Sequence, residues 1–341
     1  MPSALVSVIV PLFNKENYIE FTLKSIADQT CENLELIIID DGSTDSSLKV
    51  VRNFLQENKA RFANVINAPL PQSNWRGIEN DWHSSQTQTV YQKNVEQVKE
   101  KIAAGDIYQV NLCRVLSTKS SQSLQGLANR LQADNPAPYA SYLKLPGLEI
   151  ASASPELFLE RKGEFIKSTP IKGTSKIDNF GEKDRAENVM IVDLMRNDFG
   201  SICESGSIDV PRLLATESHP GLFHLVSDVV GRLRVGIKWS EIAKALLPAG
   251  SISGAPKSSA LKSIAEIEQT KRGPYCGVIG FVENDQALLS VGIRIFWSTG
   301  DDQLHFGTGA GITWASDPVS EWEETQLKAK RLISIASGVM V

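Results

Sequence analysis

The sequence predicts an α/β or α+β sandwich preceded by a short strand–helix–strand–helix fragment. Three observations predict it. Strand-like and helix-like apolar patterns alternate along most of the chain. The periodicity breaks between residues 66 and 82, where Ala68-Pro69-Leu70-Pro71-Gln72-Ser73-Asn74-Trp75 is rich in turn formers. Composition is ordinary for a globular chain of 341 residues, with 42% hydrophobic and 22% charged residues.

The elements follow in order. Leu5 to Val10 is a β-rich apolar run that stops at Pro11, and residues 16–29 place Ile19, Leu23 and Ile26 on one helical face. Leu34 to Ile39 is a second run, ending in Asp40-Asp41-Gly42-Ser43-Thr44-Asp45. Both runs are uninterrupted, as expected of strands covered on both faces in a parallel sheet. Thr44 or Asp45 caps a helix over 46–58. The segment Val-Ser-Val-Ile-Val-Pro-Leu-Phe-Asn with Ile-Ile-Ile-Asp-Asp-Gly-Ser-Thr-Asp resembles the opening of a family 2 glycosyltransferase, in which the acidic turn contacts a sugar nucleotide. That resemblance covers residues 1–65, and the sequence holds no D-x-D metal motif.

Residues 66–82 are expected to be a linker, and residues 83–341 a second domain. There an amphipathic helix starts at Tyr91, with Val95, Val98 and Ile102 on one stripe, and ends at Gly105. Strands are expected around 107–116, 140–145, 149–153, 156–160 and 164–167, and later at Leu289 to Phe296 and Gln303 to Phe306. Helical patterns lie near 184–196, 239–247, 258–268 and 318–336.

Charge and cysteine usage narrow the function. A net charge of −5 gives no electrostatic footprint for nucleic acid. Leu5 to Phe13 is too short to span a bilayer and lacks a basic leading region, so a cytoplasmic protein is expected. Cys31, Cys113, Cys203 and Cys276 form no C-x-x-C pair and read as four buried thiols.

Several residues look costly unless they serve a site. Glu187 lies near the start of a helix from Asp184 to Asn197 whose apolar face is Val189, Ile191, Val192, Leu194 and Met195. Glu321 and Glu324 are three apart near the start of the last helix and share one face. Carboxylates converging from two helices repel unless a cation lies between them, and oxygen-only ligands favour Mg²⁺ over Zn²⁺. The alternative is a set of solvated partners of the helix dipoles. Gly250 to Lys257 and Gly307 to Ile312 read as small-residue turns able to bind an anion or simply to bend the chain. Arg294, inside the expected strand Leu289 to Phe296, needs a partner if it faces inward: a carboxylate ligand or a structural ion pair.

Read together, these segments resemble the chorismate-binding family, which includes anthranilate, isochorismate, salicylate and aminodeoxychorismate synthases. The matching pieces run from Gly105-Asp106-Ile107-Tyr108-Gln109-Val110-Asn111-Leu112 through Ser154-Pro155-Glu156, Pro170-Ile171-Lys172-Gly173-Thr174 and Asp184-Arg185-Ala186-Glu187-Asn188. They continue through Ile191 to Asp198, His224-Leu225-Val226-Ser227, Gly250 to Lys257, Tyr275-Cys276-Gly277, Gly309 to Ile312 and Glu321-Trp322-Glu323-Glu324-Thr325. The resemblance implies the α+β form of the fold, a sandwich of two packed sheets with outer helices.

It also implies roles. Gln109 stands where isochorismate and salicylate synthases carry a water-activating lysine, and Lys172 stands where anthranilate synthases usually carry alanine. Lys172 therefore points to aminodeoxychorismate synthase component I, with anthranilate synthase component I the nearest alternative. In such an enzyme the lysine amine adds to chorismate at C2 while Glu156 protonates the departing C4 hydroxyl. Ammonia from a glutamine amidotransferase partner then takes C4. Glu187 and Glu324, with Glu321, would hold Mg²⁺ against the ring carboxylate. Arg294, Tyr275 and the amides around Gly311 would hold the enolpyruvyl carboxylate. Gln109, Gly173, Thr174, Gly309 and Ala310 complete the substrate-binding set. His224 matches a histidine near the ring, and a packed core histidine is its other reading. Only 15 positions separate Lys172 from Glu187, fewer than in relatives, so their mutual placement is a question of geometry.

Overall fold

The first apolar runs pair as a two-stranded parallel sheet in the computed structural model, which describes residues 6–31, 34–58, 74–175, 177–219 and 222–339. The chain divides into two units, Met1–Ser73 and Asn74–Val341. In the first, β1 (Val6–Leu12) and β2 (Leu34–Asp40) alternate with α1 (Ile19–Ala27) and α2 (Ser47–Glu57). Val10, Leu12, Leu34, Leu36 and Ile38 pack with Ile19, Leu23, Ile26, Val51 and Phe54. Val6 and Ile9 are exposed. The sheet is therefore covered on one face, not both, because two strands and two helices supply only one apolar layer. The acidic turn is occupied by local hydrogen bonds: Asp40 accepts from the Ser43 N–H, and Asp45 accepts from the N–H groups of Glu16 and Ser47.

The second unit begins with residues 74–82, expected as part of the linker but packed here. Trp75 Nε1 donates to the Ala336 carbonyl and Ile78 is buried. Its elements are β3 (His83–Ser84), α3 (Gln88–Ala103), β4 (Gln109–Lys119), α4 (Gln125–Asp134), β5 (Tyr139–Leu145), β6 (Leu148–Ser154), β7 (Leu157–Lys162), β8 (Phe165–Thr169) and β9 (Ile171–Ser175). Then come α5 (Glu182–Gly200), β10 (Asp209–His219), β11 (Leu222–Arg232), α6 (Trp239–Leu246), α7 (Gly250–Ser253), β12 (Gly254–Ala255) and α8 (Lys257–Ile267). The chain closes with β13 (Val278–Glu283), β14 (Gln286–Val291), β15 (Ile295–Ser298), β16 (Gln303–Ile312) and α9 (Pro318–Ala336).

Two antiparallel sheets result. One runs β10-β11-β8-β7-β14-β13, with β9 also on β11; the other runs β12-β4-β16-β15-β6-β5, with β3 also on β4. Helices α5 and α6 bury Val192, Met195, Phe199, Ile242 and Leu246 against the first sheet. Helices α3, α4, α8 and α9 cover the second through Tyr91, Val95, Leu127, Leu131, Ala260 and Leu332. These packed faces have local causes. Thr87 caps α3 by accepting from the Val90 N–H, and Asp317 caps α9 by accepting from the Ser320 N–H ahead of a proline at N1.

Four further expectations are corrected. Leu289 to Phe296 is not one strand: the chain leaves β14 at Val291 and joins the other sheet at β15, and Arg294 lies in the crossover at φ +53°. Gly307 to Ile312 is not a turn but the second half of β16, paired residue by residue with β4. Val189, expected on the buried face of α5, is exposed, while Asn188 is buried. Of the four cysteines, which are all free, Cys113 and Cys203 are buried and Cys31 and Cys276 only partly so.

Candidate active site

Lys172 sits on β9. Val226 pairs with Ile171 and His224 with Thr174, so β11 fixes the register of the lysine. Gly173 follows at φ +85°, and a Cβ there would come within 3.1 Å of both Asp184 Cβ and Phe180 Cδ1. This close approach lets β9 meet the start of α5, which carries Glu187. The short segment between Lys172 and Glu187 therefore brings the two together: Glu187 is the strongest charge acting on the lysine amine.

Three elements converge on that amine. A methyl group on Gly311 of β16 would lie 2.6 Å from Gln109 Nε2 and 3.4 Å from Lys172 Nζ. Gln109, on β4, is buried with neither amide atom hydrogen-bonded to protein, an arrangement suited to a polar ligand. Burial lowers the Lys172 pKa, against the opposing pull of Glu187.

Glu156 stands between β6 and β7, only 3% exposed. Its main chain is fixed at both ends: its N–H donates to Ser154 Oγ at 3.3 Å, and its carbonyl accepts from the Val291 N–H at 3.0 Å. Ser251 Oγ, on α7, donates to Glu156 Oε1 at 2.7 Å. Burial raises the carboxyl to about 7, opposed by the Ser251 hydrogen bond and the charges of Lys172 and Arg294. A carboxyl poised there can give and take a proton near neutral pH.

Arg294 reaches His224, with Nη2 3.2 Å from Nε2. A guanidinium only donates, so in this hydrogen bond His224 Nε2 is the acceptor. His224 is 1% exposed and is thus buried beside a charged group rather than in a purely apolar core. Burial lowers the Arg294 pKa to about 10, opposed by Glu156.

The carboxylates come from α5 and α9. Lys183 Nζ stands 2.9 Å from Glu321 Oε1 and 3.8 Å from Glu187 Oε1, and Lys328 Nζ stands 2.5 Å from Glu324 Oε1. Burial raises the Glu187 pKa, partly offset by Lys172 and Lys183, while Glu324 and Glu321 raise it further. For Glu324 the rise from burial is overcome by Lys328, and its pKa is lowered. Among the described residues no three His, Cys, Asp or Glu side chains form a ready metal cage. The donor chemistry nonetheless fits a hard divalent cation, because the set is all oxygen and Glu321 Oε2 is buried without a hydrogen-bond partner.

Against this geometry, residues 33–334 match the family described as chorismate binding enzyme. The chain belongs to the chorismate-binding enzyme family. Anthranilate synthase component 1 of Aquifex aeolicus (strain VF5) is 33% identical over 329 residues, covering 88% of this chain and 66% of that protein. Aminodeoxychorismate synthase component 1 of Bacillus subtilis (strain 168) is 37% identical over 261 residues, covering 71% of this chain and 54% of that protein. The solved anthranilate synthase component I of Streptococcus pneumoniae TIGR4 superposes with a TM-score of 0.71 at 29% identity, covering 86% of this chain and 67% of the other. This chain spans between about half and two thirds of the length of the curated relatives it matches.

Not every expected residue of the chorismate-binding site joins the cluster. The ring of Tyr275 packs over Gly307, four residues from Gly311, in a core with Cys113, Val115, Ile150, Ile295 and Trp297. Gly309 faces Cys113 Sγ, and Ala310 is buried in the core under α3. Thr174 is placed by its backbone opposite His224. Conversely, Ser251, Lys183, Lys328 and Asn188 were not singled out from sequence. Asn188 Nδ2 donates to the Leu225 carbonyl while Ser227 Oγ donates to Asn188 Oδ1, pinning α5 to β11. The signal for Asn188 was its polarity on an otherwise apolar helix face.

Proposed function

We propose that the chain is the ammonia-using component of an aminodeoxychorismate synthase, converting chorismate and ammonia to 4-amino-4-deoxychorismate and water. The observation that carries this reading is Lys172: an amine held among Gln109, Gly311 and Glu187, with its pKa lowered by burial. In this reading the neutral Lys172 Nζ bonds to C2 of chorismate as the C4–oxygen bond breaks, and Glu156 gives its proton to the leaving oxygen. Ammonia then bonds to C4, the C2–Nζ bond breaks, and the proton shed by nitrogen restores Glu156. Arg294, hydrogen-bonded to His224 and close enough for its charge to act on Glu156, suits a substrate carboxylate.

Mg²⁺, held by Glu187, Glu324 and Glu321, would neutralise a carboxylate of the substrate. Ammonia would come from a glutamine amidotransferase, in keeping with relatives named as component 1. Relatives named as anthranilate synthase support the alternative product, but the lysine at position 172 is what such enzymes usually lack. Incubation of the wild type and Lys172→Ala with chorismate, Mg²⁺ and ammonium tests the reading. The variant is expected to lose at least about 100-fold in aminodeoxychorismate formation; near-normal turnover would remove the role given to the lysine.

A further inference from the structure

Lys183 occupies an unfavourable place for a lysine. It is the second residue of α5, in the first turn, where the helix dipole repels a cation. Its partner Glu187 lies four residues later, and lysine before glutamate is the weaker order for such a pair. Glu182 and Asp184 flank it in the same turn and suit the dipole, whereas Lys183 does not. What holds it is the buried carboxylate arriving from α9: Lys183 Nζ donates to Glu321 Oε1 at 2.9 Å.

The exposures differ in a telling way. Glu321 is 2% exposed and cannot swing away, and the Glu187 side chain is 15% exposed, but the Lys183 side chain is 45% exposed. The ammonium thus enters the carboxylate cluster from the solvent side and can return there at little cost. Lys183 pairs with Glu187 and Glu321, and Lys328 pairs with Glu324, so two ammonium groups stand among three carboxylates. One buried oxygen, Glu321 Oε2, remains without a hydrogen-bond partner and leaves room for a further cation contact.

We infer that Lys183 is a tethered counter-ion that holds Glu187 and Glu321 in place until a divalent cation displaces it. This rests on the proposed metal role of those carboxylates. Lys183 is a positioning residue in this arrangement: it keeps two like charges from driving α5 and α9 apart, and it weakens cation binding by competing for the same oxygens. Charge competition at such range changes affinity by several-fold to tenfold, and removal of the ammonium should tighten binding by that factor.

The test is a Mn²⁺ titration followed by electron paramagnetic resonance, with melting curves, on the full chain carrying Lys183→Gln or Lys183→Arg. The glutamine variant is expected to bind Mn²⁺ at least about fivefold more tightly. It should also melt lower than the wild type without cation and gain more in Tm when Mn²⁺ is added. The arginine variant, which keeps the charge, should bind no more tightly than the wild type. Equal affinity in wild type and glutamine variant, or tightening in the arginine variant as well, would overturn the role of Lys183 while leaving the metal site standing. Absence of Mn²⁺ binding in all three proteins would overturn the metal site itself, and this inference with it.

Discussion

Glu156 and Lys172 act on each other through their charges and have their pKa values displaced toward one another, the carboxyl raised to about 7 and the amine lowered, each mainly by burial. Ser251 moderates the acid, since its hydrogen bond favours the carboxylate. Ser251→Ala should therefore raise the Glu156 pKa further, moving the alkaline limb of the kcat–pH profile to higher pH; an unmoved limb would show that another group sets it. Stability follows the same group. A carboxyl raised from an ordinary 4.5 to about 7 contributes stability that is present below about pH 4.5 and lost as pH rises through 7. The loss is at most about 3 kcal/mol. Glu156→Gln cannot ionise, so its stability by urea denaturation should fall less than that of the wild type between pH 5 and pH 8. Lys172, Glu156 and the three acidic residues were legible in the sequence because their segments are distinctive. Ser251 was not, since a serine in a small-residue turn has no signature until Glu156 is seen beside it.

The element that decides the site is the β9–α5 junction. Gly173 is the tight point of this junction: its φ of +85° strains any other residue, and a Cβ there would press on Asp184 and Phe180 at 3.1 Å. Gly173→Ala should cost about 1–3 kcal/mol of stability and should reduce turnover more than chorismate affinity, because it moves Lys172. Kinetic constants and a melt on this variant check both. Helices α3, α5, α8 and α9 were readable from their stripes. The β10–β11 hairpin was not, because Pro211 and mixed polarity hide its alternation and long-range pairing alone forms it. The break at Arg294 was hidden too: an apolar run does not reveal that its two ends belong to different sheets.

At the scale of the whole molecule, two units carry different expectations. The first has a half-covered parallel sheet and an acidic turn whose Asp40 and Asp45 already accept backbone N–H groups. Titration with uridine or guanosine diphosphate should accordingly show no saturable binding below the millimolar range, and micromolar binding would revive a nucleotide-sugar role. The second unit holds every candidate catalytic group, and its two-sheet architecture followed from the family resemblance more than from periodicity. Product analysis after incubation of the full chain with chorismate, Mg²⁺ and ammonium is the most direct measurement. Formation of 4-amino-4-deoxychorismate without pyruvate, abolished by Lys172→Ala, is the expected result; anthranilate with release of pyruvate would contradict it.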